Sequence, residues 1–185
     1  MPGNFSRFRV LVAPGLHNSG PEHWQSRWQR LYPGFERVGQ DDWADPILPI
    51  WSARVDQVRQ RDTRPTLIVA HSFGCLASVH SVARDAGHVA GLLLVAPADP
   101  EKFGVAALLP DTALPIPSIM VASTNDPWMP LERARQWAAR WGSTFIDGGA
   151  LGHINAESGL KDWLFGQQQL QLLAERAHNV RTIQY

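Results

Sequence analysis

The chain has 185 residues, with 17 lysines and arginines against 17 aspartates and glutamates, so its formal net charge is zero. That balance gives no long-range field for drawing in nucleic acid, an anionic membrane or an acidic substrate. Its one cysteine, Cys75, excludes an intrachain disulfide and suits a reducing, cytoplasmic setting.

The length suits one domain over residues 1–185, able to bury its own core. The start, Met1 to Arg9, lacks an apolar run behind a basic segment, so no signal peptide is expected. No stretch approaches the ~18 apolar residues that cross a bilayer. Phe8–Ala13 (FRVLVA) is a predicted strand, halted by Pro14-Gly15. Glu22–Leu31 is a predicted helix with Trp24, Trp28 and Leu31 at helical spacing, and Phe35–Val38 a weak strand. Ile50–Arg61 is helical, with Trp51, Val55 and Val58 on one face. Thr66–Ala70 (TLIVA) is a wholly apolar strand, followed at once by a helix over Gly74–Ala83.

The alternation continues. Strands are predicted at Val89–Ala96, Ser118–Ala122 and Thr144–Ile146, and helices at Leu131–Trp141 and Lys161–Ala177. Continuous apolar strands are buried on both faces, as in a parallel sheet. Alternating strands and helices on short connections make a doubly wound α/β fold of about six parallel strands flanked by helices. Pro97–Pro117 holds five of the 14 prolines and no polar periodicity, so it is expected to be a loop over the sheet. The core is expected over about residues 7–170, with the polar stretch after Gln167 fraying as a tail.

The strand Thr66–Ala70 leads directly into Ala70-His71-Ser72-Phe73-Gly74 and then a helix. That is the strand–turn–helix setting of a nucleophile elbow, which needs small residues two before and two after the serine. Alanine stands here at the first of those positions. Ser72 could equally be an ordinary helix N-cap on the pentapeptide alone; the strand before it favours a nucleophile. Such a serine needs a base, and the base an orienting carboxylate, in the chain order Ser, Asp, His. Asp126 follows the strand Ser118–Ala122 and His153 follows the last strand, so both sit in loops at the C-terminal edge of the sheet, where open α/β sheets place their sites. The oxyanion of a tetrahedral intermediate needs main-chain N–H donors. Phe73, after the nucleophile, supplies one, and Leu16, in the loop after the first strand, the other. His17, Asn18 and Trp128 are candidate pocket residues; loop capping or plain packing would explain them as well. His71 is expected to point into the fold, His23 to seat the first helix and Cys75 to be a small buried side chain. Asp41 and Asp42 precede Ser72 and rank below Asp126. No spacing suggests a metal site or a phosphate loop, so no metal and no cofactor is expected.

Several pieces together resemble a known family: P-G-L-H-N-S (14–19), H-W (23–24), Q-D-D-W (40–43), A-H-S-F-G-C (70–75), V-A-P (95–97), A-S-x-N-D-P (122–127) and G-H-I-N (152–155). The chain is similar to the YdeN-like small serine hydrolases, related to the retinoblastoma-binding protein 9 hydrolases, over nearly its whole length. The resemblance implies a compact α/β-hydrolase fold without a large lid domain, and triad positions at Ser72, Asp126 and His153. The L-x-C-x-E motif tied to retinoblastoma binding is absent around Cys75, so no such partner is carried over. The expected function is carboxylesterase-like hydrolysis of a small ester, thioester or amide, with a small-molecule acyl substrate, no nucleic acid or membrane partner, and a homodimer left open. A non-catalytic protein-binding module on the same scaffold and an aminopeptidase-like amide hydrolase are the alternatives.

Overall fold

The computed structural model describes residues 5–183. Six strands form one parallel sheet: β1 (Arg9–Ala13), β2 (Phe35–Arg37), β3 (Thr66–His71), β4 (Val89–Val95), β5 (Ser118–Ala122) and β6 (Thr144–Asp147), in the order β2-β1-β3-β4-β5-β6. Five helices connect and cover them: α1 (Trp24–Leu31), α2 (Leu48–Arg59), α3 (Phe73–Arg84), α4 (Leu131–Trp141) and α5 (Leu164–Ile183). Strand side chains alternate between faces. Val10, Val12, Leu67 and Val69 pack with Trp24 and Trp28 of α1 and Leu170 and Leu173 of α5. Leu11, Ile68 and Ala70 pack instead with α2, α3 and α4, through Trp51, Leu76 and Trp137. Each central strand is therefore buried on both sides, which is why its sequence is apolar without a break.

The order reverses between β1 and β3, because the chain adds β2 on one side of β1 and then crosses over to build outward from β3. At such a switch point the loops leaving neighbouring strands diverge and open a crevice at the carboxyl edge. Ser72 stands at that edge, one residue past β3.

The elements agree with the predicted ones to within a few residues, with two corrections. Helix α2 begins at Leu48, ahead of Ile50, because Pro49 fits the first turn of a helix, where no N–H donor is needed. Helix α5 begins at Leu164 rather than Lys161, since Lys161 and Trp163 have left-handed backbone (φ 54° and 43°). It then runs unbroken to Ile183, so the stretch after Gln167 is no loose tail. Leu170, Leu173, Ala174 and Ala177 fall on one face and are buried. Leu173 lies so close to Gly91 of β4 that a Cβ there would sit 2.9 Å from its Cδ1. The core accordingly extends beyond residue 170 to Ala177, while the last residues of the expected tail, 184–185, lie outside the described residues. Between β4 and β5 the proline-rich stretch holds only a 3₁₀ turn, Ala106–Leu108. No described helix is long and apolar enough to cross a membrane.

Candidate active site

The turn from β3 into α3 is abrupt. Ser72 has φ 54° and ψ −123°, a conformation costly for a residue with a Cβ, and α3 starts at the next residue. Surrounding contacts fix this strained geometry. Ser72 N–H donates to Val95 O of β4 at 3.1 Å. A Cβ on Gly15 would lie 2.7 Å from Ser72 Cβ, and one on Gly74 would lie 2.3 Å from Ala13 O. The loop after β1 is thus pressed against the elbow with no room for a side chain at either glycine. Ala70 is fully buried, and its methyl group is accommodated where the motif usually has glycine.

Ser72 Oγ donates to His153 Nε2 at 3.0 Å. On the other side of the ring His153 Nδ1 donates to Asp126, 2.9 Å from Oδ2 and 3.1 Å from Oδ1. The carboxylate thereby sets the tautomer: Nδ1 carries the proton and Nε2 is left to accept from the hydroxyl. The Asp126 side chain is 2 % exposed against 13 % for His153, so the carboxylate is sealed behind the imidazole. Trp128 N–H donates to Asp126 Oδ1 at 2.9 Å and fixes the rotamer.

The segment that carries His153 is held from several directions. Ser123 Oγ accepts from Leu151 N–H, and Asn125 Oδ1 accepts from Gly152 N–H at 2.7 Å. His71 Nε2 donates to the His153 carbonyl at 2.9 Å, and Trp24 Nε1 to the Ile154 carbonyl at 2.8 Å. Ile154, next to the base, is a β-branched residue at φ 48°. His71 does point into the fold, as the sequence suggests, but it also anchors this segment, a role that no local sequence signal marks.

Burial keeps two nearby histidines neutral. It pushes His71 well below the usual histidine range, with the neighbouring His23 and His153 adding to the effect. His23 is lowered to about 3, by burial first and then by the Arg37 and His153 charges. Its Nδ1 accepts from Gln25 N–H at 3.1 Å, which makes His23 the N-cap of α1.

Leu16 N–H makes no hydrogen bond with the described residues, whereas the next N–H, of His17, is taken by Trp43 O at 2.9 Å. Phe73 is the first residue of α3, where an N–H has no acceptor within the helix. A cavity of about 620 Å³ opens over Ser72 and His153. His17, Asn18 and Trp128 all line it, and Trp128 is 61 % exposed. The Asn18 carboxamide is engaged as well, accepting from Ser19 N–H and from Arg37, both at 2.8 Å. Lys102, Phe103 and Glu157 also line the cavity and had no signal in the sequence, because they come from aperiodic loops. Elsewhere, Asp41 pairs with Arg54, and Asp42 caps a turn at Ala44. Cys75 is buried, and burial pushes its thiol far up, away from reactivity. Among the described residues no cluster of three His, Cys, Asp or Glu side chains could hold a metal ion.

The profile of the serine hydrolase family matches residues 10–172. In structure, the chain is similar to a protein assigned as a YdeN-like hydrolase from Pectobacterium atrosepticum, with 37 % identity, 93 % of each chain covered and a TM-score of 0.90. It is also similar to the ydeN gene product of Bacillus subtilis, at 17 % identity over 90 % of this chain and 98 % of that one, TM-score 0.71. A protein from Xanthomonas campestris assigned as a hydrolase of the α/β superfamily shares the fold at 13 % identity over 94 % and 98 % of the two chains, TM-score 0.63. No curated protein matches the chain.

Proposed function

The chain belongs to the serine hydrolase family within the α/β-hydrolase superfamily, and on that premise we propose that it cleaves a small ester, thioester or amide by acyl transfer through Ser72. One observation carries the reading: Ser72 Oγ, the His153 ring and the Asp126 carboxylate are joined by hydrogen bonds of 3.0 and 2.9 Å at the floor of an open cavity.

In the first step Ser72 Oγ attacks the substrate carbonyl while its proton passes to His153 Nε2. The carbonyl π pair moves onto oxygen, which the Leu16 and Phe73 N–H groups hold; losing one such donor typically costs about 3 kcal/mol of barrier. Asp126 balances the charge of the imidazolium without taking its proton. When the intermediate collapses, the bond to the leaving group breaks and His153 returns the proton to it. Water, deprotonated by His153, then attacks the acyl-serine, and the acid departs as Ser72 recovers its proton.

A fluorophosphonate probe tests the reading directly. The folded protein is expected to be labelled at Ser72, and Ser72→Ala to be unlabelled and inactive on p-nitrophenyl acetate. An unlabelled, folded wild type would favour a binding module on the same scaffold. A parallel panel of aminoacyl amides distinguishes an esterase from a peptidase-like enzyme.

A further inference from the structure

The cavity over Ser72 has two sides of different chemistry. His153 must hand its proton to the leaving group, so the leaving group lies towards the 153–157 segment, which packs on the α1 and α5 face through Trp24. The acyl group then extends to the opposite side, formed by the loops after β4 and β5. Ala98 and Phe103, from the loop after β4, make that side apolar, and the Phe103 ring packs on Phe73 with centroids 5.0 Å apart.

Lys102, next to Phe103 in the chain, also lines the cavity. Its Nζ donates to the Trp128 carbonyl at 2.7 Å. The N–H of the same residue, Trp128, donates to Asp126 Oδ1. One residue's main chain therefore ties the ammonium to the carboxylate that orients the base. Lys102 has no carboxylate partner among the described residues. The acids beside it in the chain, Asp99 and Glu101, pair with Arg133 at 2.5 and 3.8 Å instead. With one donor taken by the Trp128 carbonyl, the ammonium keeps two donors for another partner.

We propose that Lys102 is a specificity-determining residue that binds a negatively charged group at the far end of the acyl chain, so that the preferred substrates are esters or amides of short dicarboxylic acids or of other acids with a terminal anion. Apolar side chains beside a cation suit such an acyl group, and a purely alkyl chain would gain nothing from that cation. The proposal rests on the reading of Ser72 as the acyl acceptor.

Two nearly isosteric esters test it: monomethyl succinate and methyl 4-methylpentanoate, followed by proton release at pH 7.5. Wild type is expected to favour the succinate by about tenfold in kcat/KM, mainly through KM. Lys102→Met is expected to remove the preference and Lys102→Arg to keep most of it. Fluorophosphonate labelling of Ser72 and a thermal melt establish that each variant is folded. Turnover of p-nitrophenyl acetate without a preference for the succinate, or a preference unchanged in Lys102→Met, overturns the proposal and leaves the hydrolase reading intact. Absence of both labelling and p-nitrophenyl acetate turnover in wild type overturns the hydrolase reading itself.

Discussion

Ser72 and His153 meet at 3.0 Å, yet they are held in place by different means. The elbow is fixed by exclusion: Gly15 and Gly74 let main chain press against main chain, and no side chain is needed to hold Ser72. The His153 segment is fixed by attachment, through hydrogen bonds with Ser123 and Asn125 of one loop, His71 and Trp24, on three separate parts of the chain. A position fixed by exclusion fails by clash and takes the fold with it. One fixed by several attachments loosens by degrees and affects the chemistry first.

The largest expected effect is on the far side of the base. Asp126→Asn removes the acceptor that sets the His153 tautomer, and kcat is expected to fall by about 10⁴ with little change in melting temperature. A tenfold or smaller loss on p-nitrophenyl acetate would mean that another group orients the ring. At the elbow, Gly74→Ala places a methyl group against the Ala13 and Pro14 carbonyls, 2.3 and 2.5 Å away. Overpacking of this kind costs about 1–3 kcal/mol, so this variant is expected to melt several degrees below wild type. Asn125→Ala frees one attachment of the His153 segment. Here kcat is expected to drop by roughly tenfold at an unchanged KM, with a smaller loss of melting temperature than in Gly74→Ala. If the two variants lose equal stability, the contrast between exclusion and attachment is wrong.

The smallest effect concerns pH. His23 and His71 are neutral in the fold with lowered pKa values, while in the unfolded chain each binds a proton below about 6.5. Their contribution to stability is therefore complete above that pH and is lost as pH falls, towards about 3 for His23. The melting temperature is expected to decline from pH 7 to pH 5. His23→Asn, which keeps a good N-cap and removes the titrating ring, is expected to flatten the decline. An unchanged slope in that variant would place the acid sensitivity elsewhere.

The same contrast governs what could be read from the sequence. Exclusion leaves a local mark: an apolar strand, a small-Xaa-Ser-Xaa-small turn and a helix are contiguous, so Ser72 stands out within a few residues. Chain order then singles out Asp126 and His153. Attachment leaves no such mark, because Asn125 to Gly152 or His71 to His153 are pairings that only the folded sheet brings together. The cavity wall is hidden for a related reason. Lys102 and Phe103 lie in a proline-rich loop whose course is set by tertiary contacts, without a period to read. Helix α5 is different: Leu170, Leu173, Ala174 and Ala177 carry the helical period and lie within the predicted helix, while the polar residues after Ala177 give no sign that the helix runs on to Ile183.

One feature of the His153 segment reaches beyond catalysis. The groups that hold it grip its main chain: the N–H groups of Leu151 and Gly152 and the carbonyls of His153 and Ile154. Peptide groups are the same whatever side chain they bear. An exposed position such as Ala156, which lines the cavity, can therefore change its residue over generations without moving the imidazole. The segment can vary at the rim of the cavity, where new substrates would be met, while the base keeps its place.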